Sequence, residues 1–230
     1  MTKRKTWRRA AGFALSLALL CGAFTGCAGI QSLWKNALSQ NQTDESTEPV
    51  PEYEKGTRTD KTYTSAWMGL QYTLPEDMIM LTDEQIQQAM QIGTESLTVD
   101  EKTGQKILDD SKLSVSYEMA AGSVNGESIV LITEKMVIAL SEEQYLKAGK
   151  SQLQQSMSAD IEFGDVTKRT VAGMEFTELT YKLQAGDEAG TSMQQTLLCR
   201  RMGDRMINMT LSYSDEAGLD YLLAGFSPLS

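Results

Sequence analysis

The stretch from Leu113 to Val137 constrains the fold more than any other part of the chain. Leu113, Val115, Tyr117 and Met119 alternate with Ser114, Ser116, Glu118 and Ala120, the period-two pattern of a strand with one buried face. Asn125-Gly126 follows, a dipeptide suited to a two-residue type I′ hairpin turn. The return run, Ser128–Val137, is apolar on both parities, with Ile129 and Leu131 on one and Val130 and Ile132 on the other. Such a strand is central and covered on both sides. The fold must therefore layer something over each face of a sheet.

The flanking pattern says what those layers are. Thr62–Trp67 and Leu70–Leu74 read as strands around Met68-Gly69. Thr82 with Gln85, and Ser141 with Gln144, have the spacing of capping boxes. The first opens a helix with Ile86, Ala89, Met90, Gly93 and Leu97 on one face; the second opens a helix to about Met157, with Tyr145, Leu146, Leu153 and Met157 inward. Residues 99–112 read as loop or broken helix. Residues 161–171 read as irregular, with a short strand and a turn. Met174–Leu183 is a strand followed by a loop, Ala185–Gly190. Ser192–Met202 and Arg205–Tyr213 form a hairpin across Gly203-Asp204, with Ile207, Met209, Leu211 and Tyr213 inward. Asp215 starts a terminal helix that packs Leu219, Leu222 and Leu223. Antiparallel hairpins interrupted by helices give an α+β class, an antiparallel β-sheet with helices packed on its faces. A single domain is expected over residues 61–230.

The N-terminus reads as an address. Lys3, Arg4, Lys5, Arg8 and Arg9 precede an apolar run from Ala10 to Leu20, short for a membrane span and typical of a secretory signal. The run ends at Phe24-Thr25-Gly26-Cys27, which resembles the bacterial lipobox. The resemblance implies removal of residues 1–26 and a diacylglyceryl group on Cys27. An uncleaved anchor over Ala10–Gly26 and a fully secreted form are the alternatives. Residues 27–60, with the acidic and polar Gln40–Glu52 stretch and Pro49 and Pro51, read as a flexible tether. Without its first 26 residues the chain has 16 basic residues against 31 acidic ones, a balance of −15. Such a body repels phosphate backbones, so no nucleic-acid partner is expected.

Histidine is absent, which excludes Ser-His-Asp and Cys-His catalysis and imidazole metal sites. Cys199 is the sole cysteine beyond Cys27; it alternates with Leu197 and Met193 and reads as an inert buried thiol. The acidic pairs Asp83-Glu84, Glu142-Glu143 and Asp215-Glu216 sit at expected helix starts, where carboxylates favour the dipole. Asp100-Glu101, Asp109-Asp110 and Asp187-Glu188 complete the set. The strand carboxylates Glu118, Glu134, Glu175 and Glu178 read as solvated. Thirteen methionines fit core filling better than Cu(I) ligation. Neither a cofactor nor a metal is expected. Arg200, Arg201 and Arg205 are the one basic cluster of the body and the candidate partner surface.

The element order resembles the PsbP/Mog-like α/β/α sandwich, over about 165 residues. The matching stretches are Gly69-Leu-Gln-Tyr-Thr-Leu-Pro75, Ile129–Lys135, Glu142–Leu153 and Ala172-Gly-Met-Glu-Phe176. PsbP relatives assist photosystem assembly and Mog relatives bind a small GTPase; the resemblance implies the fold alone. The expected function is a non-catalytic binding or assembly module of the bacterial cell envelope, lipid-anchored at the outer face of the cytoplasmic membrane through Cys27, with an envelope protein as partner. The alternative is a carboxylate-based metal-binding or hydrolytic enzyme on the same domain.

Overall fold

The run that is apolar on both parities does become an interior strand. In the computed structural model, which describes residues 51–95, 115–136, 139–156, 161–184 and 192–229, it is β6 (Ser128–Lys135), buried along nearly its whole length. The other elements, in chain order, are β1 (Thr57–Arg58), β2 (Thr62–Ser65), β3 (Leu70–Thr73), β4 (Met78–Met80), α1 (Asp83–Glu95), β5 (Val115–Ser123), α2 (Glu142–Ser156), β7 (Ile161–Val171), β8 (Met174–Gln184), β9 (Ser192–Met202), β10 (Arg205–Tyr213), α3 (Glu216–Leu223) and β11 (Phe226–Pro228). All pairings are antiparallel. One sheet runs β4-β5-β6-β10-β9-β8-β7, the other β1-β2-β3-β11. The α+β class holds.

Two cores lie on the two faces of the large sheet. On one face, Tyr63, Leu70, Tyr72 and Phe226 of the small sheet and Leu219 and Leu222 of α3 pack on Met119, Leu131, Ile207, Met209 and Leu211. On the other, Ile86 of α1 and Tyr145, Leu146 and Leu153 of α2 pack on Val130, Ile132, Leu179, Leu197 and Cys199. Each fully buried aliphatic side chain contributes about 1.5–3 kcal/mol. Both capping boxes form. The Thr82 amide donates to Gln85 Oε1 at 2.9 Å and the Gln85 amide to Thr82 Oγ1 at 3.3 Å; Ser141 and Gln144 repeat this at 2.9 and 3.2 Å. Asp215 caps α3 by accepting from the Gly218 amide.

Several local expectations are corrected. The β5–β6 connection is not a two-residue type I′ turn. Gly126 has φ +110°, but Asn125 does not enter the left-handed region. The Ser123 amide donates to the Glu127 carbonyl at 2.8 Å, which leaves a three-residue loop, and Ser123 Oγ accepts the Asn125 amide at 3.0 Å and bonds Glu127. Residues 161–171 form one 11-residue edge strand, with an irregularity between Phe163 and Val166 that absorbs Gly164 and Asp165. Strand β10 is buried on both faces rather than one. The domain starts before residue 61: Pro51, Tyr53 and Gly56 already hydrogen-bond into the body. Residues 99–112, the 185–190 loop, Leu97, Met157 and the N-terminal leader with Cys27 lie outside the described residues.

Candidate functional site

The site begins with an irregularity in β5. Tyr117 pairs with Ile132 and Met119 with Leu131, so Glu118 is the extra residue of a β-bulge. A bulge re-aims side chains. Here it places Glu118 and Met119 together on the small-sheet side and leaves the Glu118 carboxylate at 0% exposure.

Four donors surround that carboxylate. Tyr63 Oη of β2 donates to Oε2 at 2.9 Å, and Thr133 Oγ1 of β6 to Oε1 at 3.2 Å. The other two come from the segment preceding β1: Tyr53 Oη to Oε1 at 2.7 Å and the Gly56 amide to Oε2 at 2.9 Å. Burial, more than the adjacent carboxylate, raises the pKa of both phenols above the ordinary value of 10, so both stay protonated donors. The Arg205 guanidinium lies 3.6 Å from the centre of the Tyr53 ring and donates to Thr133 Oγ1 at 3.3 Å. Trp67 stands edge-on to Tyr53 at 5.2 Å and its Nε1 donates to the Pro51 carbonyl at 3.0 Å. A buried carboxylate is tolerated only when its lone pairs are occupied, and here the protein occupies them.

A second buried polar chain lies on the helix side. Asn208 Nδ2 donates to Tyr145 Oη at 3.3 Å, and Tyr145 Oη donates to Glu134 Oε2 at 2.9 Å. Burial raises the Glu134 carboxyl from 4.5 to about 7, against the opposing effect of the Tyr145 bond. Cys199, buried beside it, has its thiol pushed up by burial and then by Glu142 and Glu134; the burial expected from sequence is observed.

The strand carboxylates are not the solvated set expected. Glu118, Glu134 and Glu178 are buried, and only Glu175 is exposed. Glu178 takes a two-toothed contact from Arg169, through Nε and through Nη2 at 3.0 Å. The reason in each case is a donor on a neighbouring strand or helix, which alternation along a single strand cannot show. The arginines also separate. Arg200 and Arg205 share the small-sheet face, whereas Arg201, paired with Met206, points to the helix face. Arg200 Nη1 donates to the Glu175 carbonyl at 2.8 Å, the Arg201 amide donates to Glu142 Oε1 at 3.0 Å, and Arg205 belongs to the Glu118 site. Asp83-Glu84 and Glu142-Glu143 stand in first helical turns, and Arg58 bonds Asp83 and lowers its carboxyl pKa. Met68, Met78, Met119, Met206 and Met209 are core residues. Among the described residues no three His, Cys, Asp or Glu side chains are grouped to hold a metal ion.

No family model matches the chain, and no curated protein matches it. Among solved structures it is similar to cyanobacterial PsbP (CyanoP) from Synechocystis sp. PCC 6803, at 11% identity, covering 82% of this chain and 98% of that one, with a TM-score of 0.41. It is also similar to LpqN, a protein involved in cell envelope biogenesis of Mycobacterium tuberculosis, at 10% identity, covering 69% of this chain and 82% of that one, with a TM-score of 0.39.

Proposed function

We propose that the chain is a lipid-anchored module that acts by binding a protein partner at the outer face of a bacterial cytoplasmic membrane. The observation that carries the binding half is the use of its ionisable groups. Glu118 is saturated by four protein donors, Glu178 is clamped by Arg169, and Cys199 is sealed in a core. Groups committed to internal partners hold a shape; they are poorly placed to exchange protons with a substrate. The anchoring half rests on the order of basic residues, apolar run, Gly26 and Cys27.

Among the described residues no helix is long and apolar enough to cross a membrane. The 24 residue-to-residue steps from Cys27 to Pro51 span at most roughly 85 Å when extended. A lipidated Cys27 would therefore hold the body within that distance of the bilayer. Metabolic labelling with a fatty acid tests the anchor: Cys27→Ser is expected to lose label and accumulate as precursor, and a labelled mutant would defeat it. Turnover of a substrate with a carboxylate-dependent pH profile would favour the enzymatic alternative.

A further inference from the structure

We infer that the Glu118 site is a recognition groove for an extended peptide, which this chain keeps closed with its own Pro51–Arg58 segment. The inference deepens the binding reading above and rests on it. The groove belongs to the body: Tyr63 and Thr133 hold Glu118 at 2.9 and 3.2 Å, Thr133 holds Arg205, and Trp67 forms a wall. The occupant supplies the rest. A phenol and, three residues on, a backbone amide converge on the one carboxylate at 2.7 and 2.9 Å. The phenol ring carries Arg205 on its face and meets the Trp67 ring at a right angle.

The segment lies on the surface, with only Tyr53, Gly56 and Arg58 partly buried. Its fit is nevertheless narrow. A Cβ at position 56 would stand 2.4 Å from the Tyr63 ring, so no side chain is tolerated there. Without the segment, the carboxylate loses two of its four donors and the Arg205 face loses its ring. The groove then calls for an equivalent segment: a tyrosine, and a glycine three residues later whose amide meets Glu118. A resident segment joined through a few residues has an effective concentration of the order of millimolar. A partner strand therefore competes only when the resident one is displaced. The same eight residues are where the N-terminal tether meets the body, so displacement and tethering share one element.

The test uses the full chain in detergent micelles and a fluorescein-labelled peptide of residues 51–58, followed by anisotropy. Gly56→Ala, which expels the resident segment, is expected to bind the peptide at least tenfold tighter than wild type. Adding Glu118→Gln should remove that gain, and a probe with alanine in place of its glycine should not bind. Tyr53→Ala is the second opening variant, checked for folding by circular dichroism. Equal binding by wild type and the opened variants, or binding of the alanine probe, overturns the inference. So does unfolding of both opened variants, because the segment would then be part of the core. Fatty-acid labelling and partner capture by wild type do not depend on this result, so failure here is distinguishable from failure of the anchored-module reading.

Discussion

Glu134 shows how one side chain couples burial to pH. It sits on the helix side of β6, 4% exposed, and its carboxyl titrates at about 7 in place of 4.5 because burial penalises the charged form. The folded chain therefore binds this proton more tightly than the unfolded chain between those two values. Its contribution is fully present below 4.5 and is lost as pH rises to about 7, a change of about 3 kcal/mol. Glu134→Gln keeps an acceptor for Tyr145 without the charge. Urea midpoints of wild type and variant should agree near pH 3.5, below the unfolded value, and separate progressively up to pH 8, with the variant the more stable; parallel curves would refute the assignment. Ala172 makes a different demand. It has φ +50° beside Gly173 at +78°, in the two-residue turn that joins Val171 to Met174. An L-residue there costs roughly 1 kcal/mol. Thermal melts should show Ala172→Gly neutral to about 0.5 kcal/mol stabilising, and Ala172→Val destabilising by about 1–2 kcal/mol, since a branched Cβ suits that region worst.

At the scale of elements, what could be read from the sequence depends on whether the signal is local. Thr82 with Gln85 and Ser141 with Gln144 name both ends of their own hydrogen bonds, and α1 and α2 start where those boxes say. Ser141→Ala should cost about 1 kcal/mol in urea unfolding, because the Gln144 amide loses its acceptor; no loss would mean the helix start is held by packing alone. Strand β6 was equally legible, since both its parities are apolar. The bulge at Glu118 was not. It has no compositional mark, and it breaks the alternation that suggested a single buried face for β5. Strand β7 was obscured because an edge strand with polar residues and Gly164 looks like loop. In the small sheet β2 and β3 were read around Met68-Gly69, but the third strand was hidden for another reason: β3 pairs with β11 across most of the chain, at Leu70 with Pro228 and Tyr72 with Phe226. Nothing local to either three- or four-residue run announces the other. Pro228 is tolerated because β11 is an edge strand.

At the scale of the molecule, Glu118 is the place where three bodies meet: the N-terminal segment through Tyr53 and Gly56, the small sheet through Tyr63, and the large sheet through Thr133. The candidate site was illegible for that reason. Its donors are 15 to 65 residues from Glu118 in sequence, and its arginine was read with Arg200 and Arg201 as one basic cluster on a candidate partner surface. The arrangement also fixes an order of opening. The segment buries little apolar surface, whereas β6 and β10 are buried on both faces. Local openings cost less where fewer apolar contacts are lost. Native-state hydrogen exchange should therefore release the Gly56 amide at a free energy well below that of amides in β6 and β10, which should open only on global unfolding. Glu118→Gln should lower Gly56 protection further, because a neutral acceptor bonds the amide less strongly than a carboxylate, and should leave the ranking of the β6 and β10 amides unchanged. If Gly56 and β10 exchanged at one common free energy, the segment would be inseparable from the core and no partner strand could replace it.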